Sequence, residues 1–147
     1  MTRRHFTVAE VEALIPSLER IFVRVIQLRA GMRATKQKLD RAGIHVDSEE
    51  SFETDSDPIG VRRAKAVLCG VKELLDEELA NLRALGGEVK DLDSGTVDFP
   101  GRRLGEDVLL CWKIGEQRIG FWHTREGGFA GRRPIDDQFA GETSRVD

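Results

Sequence analysis

The chain reads as an α+β protein: a long antiparallel helical hairpin followed by a small antiparallel β-sheet. Three observations predict this order. Apolar residues recur at three-four spacing over two segments before residue 86, Gly86-Gly87 breaks the period, and short alternating stretches with turn residues fill 88–124.

The first helix is expected over 6–43. Thr7 and Glu10 form a capping box, in which each side chain serves the other's free backbone amide, and Phe6 and Val11 stand where a hydrophobic staple would. Val11, Leu14, Leu18, Ile21, Val25, Leu28, Met32 and Leu39 then line one seam, interrupted at Thr35. Pro16 should kink the helix or delay its start, because it lacks a donor and clashes with the preceding turn. Gly43 ends the element. The second helix is expected over 57–86, with Asp57-Pro58 as its cap, Val61, Leu68, Val71, Leu75, Leu79, Leu82 and Leu85 as its stripe, and Gly86-Gly87 as its stop. Between them, 44–56 is an acidic loop: "DSEESFETDSD", Asp47 to Asp57, holds six acids in eleven residues. Like charges this dense favour a solvated loop, and the spacing is not that of a calcium hand.

Helices this long cannot bury both their stripes and their flanks as a lone pair. Ile15, Phe22 and Ile26 form a second apolar edge turned from the main seam. The sheet can cover part of that edge and a second subunit the rest, so a homodimer through the helices is expected.

In the small sheet, "EVKDLD" and "TVDF" are extended segments joined at Ser94-Gly95. "DVLLCWKI" and "RIGFWH" make a β-hairpin near 107–123, closed by Gly115-Glu116 as a type II′ turn. That turn would pair Trp112 with Ile119, Leu110 with Phe121 and Val108 with His123 on one face. Cys111 would meet Gly120, and Leu109 would meet Trp122, on the other. A Gly/Arg loop, 125–135, follows, and 136–147 reads as a disordered tail after a single domain over 1–135.

The totals exclude several classes. A chain of 147 residues with 39% hydrophobic and 33% charged residues suits one soluble domain with a modest core. The net charge of −3 speaks against nucleic acid as the main partner. No apolar run approaches the roughly 20 residues of a membrane span, and the opening "MTRRHFTVAEVEAL" lacks an apolar signal core, so a cytoplasmic protein is expected. Cys69 and Cys111 lack metal-type spacing and read as reduced, buried thiols.

Two groups of residues carry candidate chemistry. Asp91, Asp93 and Asp98 from the early strands and His123 and Glu126 from the end of the hairpin could converge. Of these, Asp93, Asp98 and His123 suit a divalent metal, or an imidazole–carboxylate pair acting as general base. The plainer alternative is a turn stabilised by aspartates and a histidine capping an apolar face. "REGGFAGRRP" could turn backbone amides and Arg132 toward a phosphate or carboxylate, or simply wrap the sheet with Phe129 plugged into it. Trp112 and Trp122 can line a pocket or form the core. No GxSxG elbow and no tyrosine is present. The leading expectation is a non-enzymatic binding module for a small anion, a metal or a peptide at the open end of the sheet. The alternatives are a metal-dependent hydrolase using His123 and the aspartates, and a purely structural helical assembly protein.

"GGEVKDLDSGTVDFPGRR", "VLLCWKIGEQRIGFWH" and "GGFAGRRPI", with the opening "FTVAEVEALIPSLERI", resemble a bacterial family catalogued as a domain of unknown function, number twenty-two-zero-three. The resemblance runs to about Ile135. It implies a small cytoplasmic prokaryotic protein and supplies no activity. Its motifs fall on Asp91, Asp93, Asp98, Trp112, Trp122, His123 and Arg132, among others.

Overall fold

The computed structural model describes residues 4–46 and 56–139. Two long helices, α1 (Val8–Arg41) and α2 (Ile59–Ala84), precede five strands: β1 (Glu88–Asp91), β2 (Thr96–Arg103), β3 (Glu106–Lys113), β4 (Phe121–His123) and β5 (Arg133–Pro134). The strands form one antiparallel sheet in chain order, so the helical-hairpin-then-sheet reading is correct. The described chain groups into two compact units. A sheet unit takes the residues up to Phe22 and from Asn81 onward, and a helical unit takes Val23–Ala80.

The capping box forms. Thr7 N donates to Glu10 Oε1 at 2.9 Å, and Glu10 N donates to Thr7 Oγ1 at 3.1 Å. Pro16 does not delay the helix, which starts at Val8 and runs on through it. The cap and the buried Val11, Ile15 and Leu18 outweigh the bond that proline removes. Asp57 is not used as expected: its Oδ2 accepts from Lys65 Nζ at 2.8 Å, and Arg62 N bonds Pro58 O in the first turn. Both helices stop as their glycines foretell. After α2, Gly87 N returns to Leu82 O and Gly86 N to Arg83 O, a Schellman pair that needs the positive φ of 98° at Gly86. A Cβ there would sit 2.4 Å from the Phe6 ring, so glycine is required twice over.

The sheet corrects the expected register. The tight two-residue turn lies at Leu104-Gly105, both at positive φ, between strands that pair from Thr96↔Lys113 to Arg103↔Glu106. At Gly115 the chain also bends, with Glu116 N bonding Lys113 O, but glycine is second in that turn and pairing resumes only at Phe121. Seven residues therefore connect β3 to β4, and the pairs are Leu109↔His123, Leu110↔Trp122 and Cys111↔Phe121. This is one position from the expected register, and a shift of one exchanges faces.

One face of the sheet carries Val97, Phe99, Leu110, Trp112 and Trp122, all buried. Phe6 meets Phe99 edge-on at 5.3 Å, and Phe22 meets Trp112 at 5.7 Å, so α1 covers this face. Phe22 is thus an inner residue, whereas Ile26 is exposed as expected. Trp112 and Trp122, assigned to opposite faces from the sequence, share this one. The residues from Asp136 to Phe139 are not tail: Arg103 Nη2 bonds Asp136 Oδ2 at 2.6 Å, and buried Phe139 lies 6.2 Å from Trp122. Cys69, read as buried, is exposed, whereas Cys111 is buried. Residues 47–55 of the acidic loop and 140–147 of the tail lie outside the described residues. No described helix is long and apolar enough to cross a membrane.

Replacing Thr7 with alanine removes one arm of the capping box and is expected to cost about 1 kcal/mol in chemical denaturation. An unchanged midpoint would mean that the box does not hold the start of α1.

Candidate metal centre

On the second face of the sheet, the register brings together side chains that the sequence separates. Asp98 on β2 is the direct partner of Cys111 on β3, and Leu109, two residues before Cys111, is the partner of His123 on β4. Directly opposed residues share a face. One ligand atom from each of Asp98, Cys111 and His123 lies within 4.8 Å of the others. All three residues are buried; the Asp98 side chain is 0% exposed and that of His123 3%.

The hydrogen bonding of the imidazole sets its character. His123 Nδ1 lies 2.7 Å from the Thr124 carbonyl oxygen, which can only accept, so Nδ1 carries the proton. In the neutral ring Nε2 then presents a lone pair. What it faces is Asp98 Oδ2 at 3.0 Å. The geometry is not that of a hydrogen bond: among the described residues, neither oxygen of the Asp98 carboxylate has a hydrogen-bond partner. A buried carboxylate without donors is costly, and a proton or a cation shared with the nearby imidazole offsets that cost. Two first-row ligands about 2.0–2.1 Å from a tetrahedral ion stand roughly 3.3 Å apart, close to the spacing of Nε2 and Oδ2.

Burial pushes the Cys111 thiol from an ordinary 9.0 up to about 12; the Asp98 charge adds to this, and Arg132 opposes it. In metal-free protein Cys111 is a neutral thiol. A divalent ion would deprotonate it outright.

A cavity of about 170 Å³ opens over the pair. Its buried floor is Thr96, Asp98, Leu109 and His123, and its rim includes Lys90, Arg125 and Phe129. The Gly/Arg loop that shapes the rim is pinned by Arg132, whose Nη2 bonds Glu116 Oε1 at 2.7 Å. The Arg132 guanidinium stacks 4.3 Å from the Phe121 ring centre and 4.6 Å from that of Phe129. Phe129 is exposed rather than plugged into the core.

A family model described as "Uncharacterized conserved protein (DUF2203)" matches residues 4–135. The chain belongs to the DUF2203 family. No curated protein and no solved structure matches it. Membership of DUF2203 brings no activity with it, so chemistry must be read from the site.

Of the residues singled out in the sequence, Asp98 and His123 meet, and Arg132 holds the loop beside them. Asp93 does not join them; the third potential ligand atom beside Asp98 and His123 is that of Cys111. Asp91 and Asp93 shape the exposed β1–β2 turn, where Asp93 N bonds Asp91 Oδ1 at 2.9 Å. Trp112 and Trp122 belong to the opposite, core face: Trp112 Nε1 donates to Glu116 O and Trp122 Nε1 to Pro134 O. Glu126 is exposed on the loop and does not line the cavity. Cys111 could have been found from the Leu104-Gly105 turn, which fixes its pairing with Asp98. Leucine in a left-handed turn position hides that signal.

The two cysteines should differ sharply in reactivity. In chelator-treated protein at mildly alkaline pH, a thiol reagent should modify exposed Cys69 and reach Cys111 only on unfolding; prompt modification of both would contradict the burial. The folded state also keeps a Cys111 proton that the unfolded chain releases, so this group makes stability fall as pH rises from 9.0 toward about 12.

Proposed function

We propose that this protein binds one divalent transition-metal ion, with zinc the best match, through Asp98, Cys111 and His123, and that it serves as a metal-anchored binding module. A single observation carries the reading. Among the described residues the fully buried Asp98 carboxylate has no hydrogen-bond partner, and its Oδ2 lies 3.0 Å from Nε2 of an imidazole whose Nδ1 is bonded to the Thr124 carbonyl. Thiolate, imidazole and carboxylate together are a zinc-type donor set, and three protein ligands leave one position open. The hydrolytic alternative needs a base beside the metal-bound water. The charged residues lining the rim, Lys90 and Arg125, are cations, and the carboxylate beside them, Glu88, is paired with both, which favours binding over hydrolysis.

Zinc added to chelator-treated protein at 100-fold above its Kd should stabilise the fold by about 2.7 kcal/mol, measured by thermal unfolding. Asp98→Asn and His123→Ala should abolish that gain. If Asp98 and His123 were only a buried ion pair, no metal would bind and Asp98→Asn would cost the metal-free protein about 3–5 kcal/mol.

We propose also that the helical unit pairs with a second copy. Val23 and Ile26 on α1 and Ile59 and Val67 on α2 are large apolar residues exposed in a single chain. Sedimentation at micromolar concentration should give a dimer, and Ile26→Glu a monomer; equal masses for both would contradict this.

A further inference from the structure

The cavity over the proposed metal has a chemistry of its own, and the inference here rests on that metal site. We propose that the open coordination position takes the carboxylate of a small monoanion, whose short apolar tail lies against Leu109 and Phe129.

Coordination supplies the first argument. Three donors from Asp98, Cys111 and His123 leave a four-coordinate ion with one position, and Asp98 and His123 form part of the cavity floor. Charge sets the sign. A divalent ion, the Asp98 carboxylate and the Cys111 thiolate sum to zero. At the rim Lys90 and Arg125 face one carboxylate, Glu88, the partner of Asp98 across the β1–β2 ladder. One positive charge remains, which a monoanion balances. The rim cations are also held loosely: Lys90 Nζ lies 3.7 Å from Glu88 Oε2, and Arg125 approaches Glu88 at 3.4 and 3.5 Å. Partly exposed pairs this long cost little to rearrange toward a ligand.

Size and surface narrow the class. A cavity of about 150 Å³ holds a benzene-sized guest, so one of about 170 Å³ suits a ligand of about six heavy atoms. Its apolar surfaces, Leu109 on the floor and Phe129 at the rim, leave room for a short hydrocarbon tail behind a charged head. A short-chain carboxylate meets all three conditions, whereas a bare phosphate leaves the apolar walls unused and carries excess charge.

Cobalt-loaded protein provides the test, because the visible spectrum of the ion reports exchange of its fourth ligand. Acetate should change that spectrum saturably. Acetamide, of the same size and neutral, should not, and inorganic phosphate should act at least tenfold more weakly. Lys90→Ala with Arg125→Ala should retain the cobalt–thiolate spectrum and weaken the acetate midpoint about tenfold. One equivalent of bound cobalt with no response to acetate, or an equal response to acetamide, would overturn the inference and leave the metal site standing. So would tighter binding of phosphate, or an unchanged midpoint in the double variant. Protein that takes up no cobalt would instead remove the metal site, and this inference with it.

Discussion

The Asp98 carboxylate has no exposed surface and, among the described residues, no geometrically satisfactory hydrogen-bond partner, and Cys111 and His123 of the second sheet face lie against it. Asp98 is the third residue of an eight-residue strand, opposite a cysteine and 3.0 Å from an imidazole nitrogen. Folding alone gives no reason to place it there: an apolar residue would serve the sheet better, since desolvating a charge offsets much of what its partner returns. The Thr124 carbonyl holds one imidazole proton on Nδ1, so a second proton or a cation at Nε2 is what can offset the cost. A divalent cation bound by both groups, as proposed above, would offset it. It also gives a use to the thiol that burial otherwise leaves protonated.

The sheet separates two tasks by face. One face is packing: Phe6 and Phe22 from the first helix meet Phe99 and Trp112, and Phe139 comes to Trp122 from beyond the last strand. Its buried side chains are apolar, and each indole N–H finds a backbone carbonyl. The other face carries Asp98, Cys111 and His123 and is covered by a loop rather than a helix. That loop is held by one arginine, which bridges Glu116 and lies over two aromatic rings. A rigid floor under a loop of glycines and cations is a common way to combine fixed ligands with access.

The helices were legible because their signals are local. Thr7 with Glu10 and the two glycine stops act within one turn of chain, and burial of Val11, Leu18 and Val25 follows from spacing alone. The sheet was legible as a sheet but not in its pairing. Gly115 looks like a hairpin turn and does bend the chain, yet the two-residue turn belongs to Leu104-Gly105, where leucine gives no warning. One misplaced residue puts His123 beside Val108 and Trp112, when it belongs beside Leu109 and Cys111. Asp98 and His123 could still be paired by residue type. Cys111 could not, because a lone cysteine in an apolar strand has the ordinary pattern of a core thiol.

Membership of DUF2203 over residues 4–135 leaves the account to stand on geometry. Its central claim is that sulfur, nitrogen and oxygen from three strands bind one ion. X-ray absorption at the metal edge of zinc-loaded protein tests this most directly. The account predicts one sulfur at about 2.3 Å with the remaining ligands, nitrogen and oxygen, at about 2.0–2.2 Å in four-coordinate geometry. A shell of oxygen and nitrogen alone would contradict it, because Cys111 would then lie outside the site.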